Sequence, residues 1–435
     1  MNNSKKYFRK LYKKIKNKSV VVGVVGVGYV GIQLLLQFTQ NKIKTIGFDK
    51  DKKKLEKLTK GISPFSYINN KKIKNLKKKS VYTERYENIK FCDVIIICLP
   101  TPIKKNTKPD LSAIENCFKK FKKYIKKGQL IILESTTFPG TTREKIGKNL
   151  KKFNLGEDFF LSYSPERENP GGNVPYRKVN KITSGYSHNC SVLSQLLYKK
   201  IVNSVVVANS LEEAEMTKLL ENIYRSVNIG LVNELKMICL AMGIDINKII
   251  ELASTKPFGF QAFYPGPGVG GHCIPIDPYY LYWRAKKFGQ TAKFVKLAGD
   301  INIETTSWTT KNIIKILKKS KKKSKKNILI LGLAYKKNIE DIRESAGVKI
   351  LTQLRKKKHK VHFADPHVNY KDLEVKKIVG KTEQIRLTKK NIQKYDCVIL
   401  LTDHDKFDYK TITKYSKVLI DSRNKLSRKQ NFYRL

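Results

Sequence analysis

VVVGVVGVGYVGIQLLLQF, Val20 to Phe38, reads as a β-branched strand that enters a glycine turn and then an apolar helix. The turn GVGYVG, Gly26 to Gly31, has the G-x-G-x-x-G form. Its glycines permit a tight turn, close approach of backbone N–H groups to a pyrophosphate, and helix-on-strand packing. Alone that motif is weak. A second strand, IKTIGFD, ends in Asp49, near the spacing at which a carboxylate accepts from a ribose 2′-hydroxyl. Together these predict a dinucleotide site of Gly26, Gly28, Tyr29, Val30, Gly31 and Asp49. The dinucleotide should be NAD rather than NADP, because a 2′-phosphate would meet the Asp49 carboxylate.

Working outward, CDVIIICLP ends in Thr101-Pro102, and GQLIILESTTFPGTT ends in a loop of small hydroxyl residues from Ser135 to Thr142. Carboxyl ends of strands line the ligand crevice of an open parallel sheet, so Thr101 and Thr136 are candidates for cofactor contact. Turn residues that satisfy their own backbone read equally well. LSYSPERENPGG, Leu161 to Gly172, leads to a loop concentrating Glu166, Arg167 and Glu168. That trio suits a polar substrate, with a surface ion-pair cluster as the plain alternative. Leu211 to about Met242 has apolar residues at helical spacing and no proline. Lys218, Asn222 and Arg225 fall on one face of that helix. Gly243 ends it, and a new helix begins at Asp245.

GPGVGGHCIPIDP, Gly266 to Pro278, is too rich in glycine and proline for a helix or a central strand, so it reads as an ordered loop around one cysteine, Cys273. Asp277-Pro278 then looks like an N-cap and a first helical proline. A cysteine just before a helix N-terminus favours the nucleophilic thiolate. A buried structural cysteine is the bland alternative. After the lysine run Lys318–Lys326, NILILGLAYKKNIEDIRES, KVHFADP and YDCVILLTDHD repeat the opening themes in the same order. This second half lacks G-x-G-x-x-G and should bind something other than a dinucleotide.

The predicted fold class is therefore α/β, with two Rossmann-like doubly wound parallel-sheet domains joined by a helical middle domain with a long central helix. The expected boundaries are a basic extension at 1–19, an NAD-binding domain at 20–208, a middle domain at 209–317, a linker at 318–326 and a second Rossmann-like domain at 327–435. At 435 residues two or three domains are the norm.

Seven scattered cysteines are the usage of a reducing compartment, and no apolar run approaches a membrane span, so the cytoplasm is the expected location, with no membrane partner. Asp403-His404-Asp405 is the nearest approach to a metal cluster, and no metal is predicted. The net charge of +53 invites a nucleic-acid reading. The excess is mostly lysine, dispersed and without an aromatic stacking motif, so no specific nucleic-acid partner is expected.

From about Val20 onward the chain resembles the UDP-glucose/UDP-N-acetylhexosamine 6-dehydrogenase family. GVGYVG, CLPTP, ESTTFPGTT, SPERENPGG, AEMTKLLEN, GPGVGGHCIPIDP, GLAYKKNIEDIRES and DSRN (Asp421–Asn424) carry the resemblance in order. It implies a four-electron oxidation of a primary alcohol to a carboxylate with two NAD. Carried over by motif, Cys273 captures the aldehyde. Lys218, Asn222 and Asp277 hold and activate water or alkoxide, with Glu166 and Thr136 assisting. Arg167, Glu168, Arg225, Gly270, Lys336 and Arg423, together with Lys218 and Asn222, would meet the UDP-sugar, and Arg343 would reach NAD. A homodimer or higher homo-oligomer through the middle domain is implied as well. SPERENPGG and GGHCIPIDP look most like members acting on UDP-N-acetylglucosamine or its galacto epimer, ahead of UDP-glucose or UDP-N-acetylmannosamine. Two rivals are a two-electron hydroxyacid dehydrogenase, which needs neither a loop cysteine nor a second α/β half, and a basic nucleic-acid-binding protein with a lapsed dinucleotide site.

Overall fold

The computed structural model describes residues 3–65, 68–76, 79–104, 107–167, 174–271, 273–319, 325–426 and 431–435. Glu168 and residues 320–324 of the lysine run lie outside them. The chain divides into two compact units, Met1–Glu221 and Asn222–Leu435.

The first unit is built on one eight-stranded sheet. Its strands are β1 (Val21–Val25), β2 (Lys44–Phe48), β3 (Ser80–Thr83), β4 (Val94–Ile97), β5 (Leu130–Leu133), β6 (Phe160–Tyr163), β7 (Lys181–Gly185) and β8 (Val205–Val207), in the order β3-β2-β1-β4-β5-β6-β7-β8. The first six are parallel in the doubly wound order, so the crevice opens where the order reverses, between β1 and β4. Uninterrupted apolar runs such as VIII in β4 and LIIL in β5 suit strands covered on both faces, and every residue of both is buried. The covering helices are α1 (Asn3–Lys16), α2 (Tyr29–Gln40), α3 (Lys52–Thr59), α4 (Asn70–Leu76), α5 (Ser112–Phe121) and α6 (His188–Tyr198), and α7 (Leu211–Met242) begins in this unit. β7 departs from the expected all-parallel pattern and runs antiparallel to β6. The chain from β6 to β7 carries no crossover helix among its described residues, and an antiparallel neighbour requires none.

The basic N-terminal extension is helix α1, docked on this unit. Leu11 and Ile15 are buried in the core, and the Phe8 ring meets Phe160 edge-on at 6.4 Å. Lys14 pairs with Asp93 at 2.6 Å. Asp93 and Phe160 lie at the amino ends of β4 and β6, so α1 closes the side of the sheet away from the crevice. Each buried aliphatic side chain contributes roughly 2 kcal/mol to that docking.

The second unit contains the rest of α7, then α8 (Ile246–Ala253), α9 (Asp277–Lys286) and α10 (Lys293–Lys319). A five-stranded parallel sheet follows: β9 (Asn327–Leu331), β10 (Lys360–Ala364), β11 (Cys397–Leu400), β12 (Leu419–Asp421) and β13 (Phe432–Arg434), ordered β10-β9-β11-β12-β13. Its helices are α11 (Ala346–Lys356), α12 (Leu373–Val379), α13 (Lys389–Ile392) and α14 (Tyr409–Tyr415). This is the second common doubly wound order, with its own switch point between β9 and β11. The lysine run is partly structured, since α10 extends through Lys319 and Lys326 is buried against β10. No helix among the described residues is long and apolar enough to cross a membrane.

Candidate active site

In the first unit the glycine turn follows β1. Gly26 has φ +95°, and a Cβ there would come within 2.6 Å of the Cys98 carbonyl oxygen at the end of β4. A Cβ on Gly31 would approach the Gly26 carbonyl oxygen to 2.0 Å, so only glycine lets α2 pack this close to β1. A Cβ on Gly28 would meet nothing within 4 Å, and Gly28 caps α2 without a side-chain hydrogen bond. Tyr29 and Val30 open α2. The turn therefore presents unobstructed backbone at a helix N-terminus, which fits a pyrophosphate.

Asp49 directly follows β2 and lies beside that turn. Its Oδ2 accepts from Val27 N–H at 3.0 Å and from Lys54 Nζ at 2.9 Å, and its Oδ1 accepts from Asp51 N–H at 3.0 Å. These contacts aim the carboxylate where a ribose diol would reach it, so the residues fit NAD. Lys54 was not singled out from sequence; its position in the first turn of the helix after Asp49 was the available signal. Thr101 is buried, and its hydroxyl donates to the Thr136 carbonyl at 2.7 Å. One hydrogen bond thus ties the β4 and β5 ends together.

Glu166 and Lys218 also meet in the first unit. The buried Lys218 ammonium donates to the Glu166 main-chain carbonyl. Glu166 Oε1 accepts from Arg167 N–H at 2.7 Å, and Arg167 pairs with Glu221 at 2.7 Å while donating to the Asn180 carbonyl at 2.6 Å. The loop after β6 is thereby fastened to α7 at two points, Lys218 and Glu221. A residue missed from sequence fastens the loop after β5 to the same helix. Glu215, fully buried on α7, accepts from Gly140 N–H and from both the N–H and hydroxyl of Thr142, in the loop after β5. Burial pushes its carboxyl up to about 7.

The second unit gathers Asn222, Arg225, Gly270, Cys273, Asp277, Lys336 and Arg343. The Asn222 amide donates to the Asp277 carboxylate, and Arg225 donates to the Asn222 side-chain oxygen. Asn222 and Asp277 are both buried. Asp277 is the first residue of α9 rather than its N-cap: Ile276 takes the cap position, and the Asp277 carboxylate accepts from Asn222 on α7. Cys273 is partly exposed, and its carbonyl accepts from Ile276 and Asp277 N–H, closing the turn that launches α9. None of the seven cysteines forms a disulfide.

Tyr335, next to Lys336, was also missed, although it stands inside a quoted motif. A Cβ on Gly270 would lie 2.7 Å from Tyr335 Cβ, and one on Gly271 would lie 2.8 Å from its ring. The paired glycines are what let the cysteine loop lie against Tyr335. Gly271 N–H also donates to the Arg343 carbonyl at 3.1 Å. The Arg343 guanidinium forms a fork on Asp341, with contacts of 2.6 to 3.0 Å. Burial, reinforced by Arg225, draws the Lys336 ammonium below its ordinary range.

Arg423 meets the same loop at its first residue, Gly266. Its Nε donates to the Leu401 carbonyl at 2.8 Å, and a Cβ on Gly266 would sit 2.8 Å from its guanidinium. Gly266 is clamped by α7, its N–H donating to Asn233 at 3.0 Å and its carbonyl accepting from Lys236 Nζ at 2.7 Å. Burial, and secondarily Arg423, depress the Lys236 ammonium to about 7. Among the described residues no cluster of His, Cys, Asp or Glu could hold a metal.

The NAD binding domain of the UDP-glucose/GDP-mannose dehydrogenase family matches residues 20–202, its central domain 212–304, and its UDP binding domain 329–428. The chain is 34% identical over 361 residues to a UDP-N-acetyl-D-glucosamine 6-dehydrogenase of Pseudomonas aeruginosa, covering 82% of this chain and 85% of that one. It is 32% identical over 417 residues to a UDP-N-acetyl-D-mannosamine dehydrogenase of Pyrococcus horikoshii, covering 93% and 95%. The solved structure of a UDP-D-ManNAc dehydrogenase from Pyrococcus horikoshii superposes with a TM-score of 0.82 at 30% identity, over 95% of this chain and 98% of that one. On these grounds the chain belongs to the UDP-glucose/GDP-mannose dehydrogenase family, as an NAD-dependent UDP-sugar 6-dehydrogenase.

Proposed function

We propose that the chain oxidises the C6 hydroxyl of a UDP-N-acetylhexosamine to the uronic acid, with UDP-N-acetylglucosamine the favoured substrate and its galacto epimer next. The carrying observation is the cysteine loop: Cys273 is partly exposed in a turn whose end is pinned by the Asn222–Asp277 hydrogen bond. NAD, when bound, accepts a hydride in each of two oxidations. In the first, the C6 alcohol loses a hydride and a proton to become an aldehyde. The Cys273 thiol adds to that aldehyde as a thiohemiacetal. Loss of a second hydride and a proton leaves a thioester, which water cleaves to the carboxylate and the free thiol. Covalent capture keeps the aldehyde from escaping between the two oxidations.

Asp277 and Asn222 form a polar pair suited to holding the alcohol or water oxygen and taking up its proton. Lys218 supplies a buried ammonium for the developing alkoxide, with Glu166 and Thr136 assisting. Lys336, Arg225, Arg423 and Gly270 are assigned to the UDP-sugar, and Arg343 to NAD. Glu168 shares the UDP-sugar assignment on sequence grounds alone. The 1–19, 20–208, 209–317, 318–326 and 327–435 boundaries stand as the working division of these tasks.

SPERENPGG and GGHCIPIDP support the N-acetylglucosamine reading, as does the Pseudomonas aeruginosa relative. The Pyrococcus horikoshii relative keeps UDP-N-acetylmannosamine as the second reading. The test is to incubate purified protein with NAD and the UDP-activated N-acetyl-gluco, -galacto and -manno sugars and UDP-glucose, counting NADH per sugar. Two NADH with the N-acetylglucosamine substrate fastest supports the proposal, whereas preference for the manno epimer or a count of one sinks it. A homo-oligomer through α7 belongs to the same reading, since Leu231, Leu235, Ile238 and Met242 expose an apolar stripe at helical spacing. Light scattering of the purified chain tests it.

A further inference from the structure

Lys181 opens β7, and β7 is reversed against β6, with Tyr163 opposite Ser184 and Ser162 opposite Gly185. A reversed strand begins where its parallel neighbours end. Lys181 therefore stands at the carboxyl edge of the sheet, the edge that carries the crevice. Its ammonium lies 3.1 Å from Glu134, the residue directly after β5, and 3.3 Å from Glu166 in the loop after β6. The side chains of Lys181, Glu134 and Glu166 are 3%, 0% and 12% exposed, so this cluster is interior rather than a screened surface pair. Tyr198, the last residue of α6, donates its hydroxyl to Glu134, and the Lys181 ammonium stands 5.1 Å from its ring centroid. The second Glu134 oxygen is buried with no hydrogen-bond partner among the described residues.

We propose that Lys181 is a positioning residue for the oxidation: its ammonium anchors the Glu166 carboxylate, while Glu134 and Tyr198 anchor the ammonium. This rests on the reading that gives Glu166 and Lys218 their catalytic roles. Among the described residues, three contacts hold Glu166. Arg167 N–H takes one carboxylate oxygen, Lys181 the other, and the Lys218 ammonium hangs on the Glu166 main-chain carbonyl. Removing Lys181 takes the ammonium away from the Glu166 carboxylate and leaves Glu134 as a buried carboxylate that has lost its cation, so both side chains must rearrange. Lys218 is displaced with them because its partner is the Glu166 backbone. The cluster is also poised to titrate. Burial pushes Glu134 up to about 7, with Lys181 opposing and Glu166 reinforcing the shift. Burial works against the Lys181 charge as well, but the two carboxylates outweigh it and hold the ammonium above its ordinary range. Protonating Glu134 removes the excess negative charge of two carboxylates around one ammonium.

The experiment uses full-length Lys181→Met, Lys181→Arg, Glu134→Gln and Glu166→Gln, measuring kcat and KM from about pH 6 to 9.5, and NADH affinity by fluorescence. A misplacement near 1 Å can cost about a hundredfold, so Lys181→Met should lose roughly tenfold to a hundredfold in kcat with NADH affinity within about twofold of wild type. Lys181→Arg should recover part of the loss. Wild type should show a kcat limb centred near pH 7, and Glu134→Gln should remove it. If Lys181→Met keeps kcat within about twofold while Glu166→Gln loses about tenfold or more, the proposal alone is overturned. If Glu166→Gln keeps wild-type kcat, the reading beneath it fails instead, and the anchoring has no catalytic consequence. Should Lys181→Met not fold, an unaltered pH profile in Glu134→Gln overturns the proposal.

Discussion

The Glu215 carboxylate accepts two hydrogen bonds from Thr142, from the backbone N–H at 2.8 Å and from the hydroxyl at 2.7 Å. This contact joins α7 to the loop after β5, the loop that also carries Thr136. Because burial raises the Glu215 carboxyl from about 4.5 to about 7, the folded first unit prefers it protonated. A raised carboxyl contributes stability that is fully present below the unfolded value and is lost as pH rises through the folded value. Glu134 has the same sign over the same range. Wild-type protein should therefore lose stability between about pH 5 and 8, each carboxyl costing at most about 1.4 kcal/mol for every pH step of one. Glu215→Gln should lower stability at every pH, because its amide would face a backbone N–H, yet show a shallower decline. Denaturant melts at several pH values check this, and parallel curves for variant and wild type would exclude Glu215 as a source.

Lys236 carries the opposite sign in the second unit. Its folded value, near 7, lies below the ordinary 10.5, so the stability it contributes is present above 10.5 and lost as pH falls through 7. Arg423 is the charged group that bears on it, while the Trp308 ring stands 5.1 Å away and the Gly266 carbonyl accepts a hydrogen bond from its Nζ. Lys236→Met removes the titration and the hydrogen bond together. Its stability deficit against wild type should be larger at pH 9.5 than at pH 6.5. An equal deficit at both values rules out a titrating Lys236.

Asp49 should set cofactor choice. Its carboxylate would accept from a ribose 2′-hydroxyl and repel a 2′-phosphate, and it also neutralises Lys54 at 2.9 Å. Wild type should favour NAD over NADP by about a hundredfold or more in kcat/KM, a difference of roughly 3 kcal/mol. Asp49→Ser removes the repulsion and releases the Lys54 ammonium toward a 2′-phosphate, so NADP use should rise at least about tenfold. Adding Lys54→Ala should take that gain away. If NADP use were the same with and without Lys54, the ammonium would have no part in recognising the phosphate.

Residues 20–48 were legible because strand, glycine turn and helix are local, and the helix Leu211–Met242 has the extent its apolar spacing indicates. The second half shows the same local logic with a different outcome. Asp365 follows β10 as Asp49 follows β2, but its carboxylate is enclosed by the N–H groups of Leu333, Ala334, His367 and Val368 and by His404 at 3.1 Å. No face remains for a ribose, in keeping with the missing glycine fingerprint. The direction of β7 was not legible, since KITSG carries no mark of whether its partner runs with it or against it. With that direction went Lys181. The docking of α1 was obscured for another reason: Tyr7, Phe8, Leu11 and Ile15 have helical spacing, but the surrounding lysines dominate the composition. Asp277 looked like a cap because Asp-Pro so often is one, and only the fold reveals that Asn222 claims its carboxylate.

Cys273 bears the most direct test. Four-electron oxidation needs a nucleophile that holds the aldehyde and is later displaced by water. Cys273 combines a glycine loop that lies flat against Tyr335, a turn leading into α9, and Asp277 four residues on. Cys273→Ala should abolish acid formation and leave NAD binding intact, because the thiol is not among the groups assigned to NAD and Gly26–Gly31 and Asp49 lie outside the cysteine loop. Cys273→Ser separates chemistry from architecture. A serine hydroxyl can still add to the aldehyde and pass through the second oxidation, but the product is an oxygen ester, which water cleaves far more slowly than a thioester. A sugar adduct should therefore accumulate on residue 273, heavier by one uronyl ester and visible by mass spectrometry, after a burst of about two NADH per enzyme. If Cys273→Ser instead turns over near the wild-type rate with two NADH per sugar and no adduct, the thiol has a packing role and water must attack an uncaptured aldehyde.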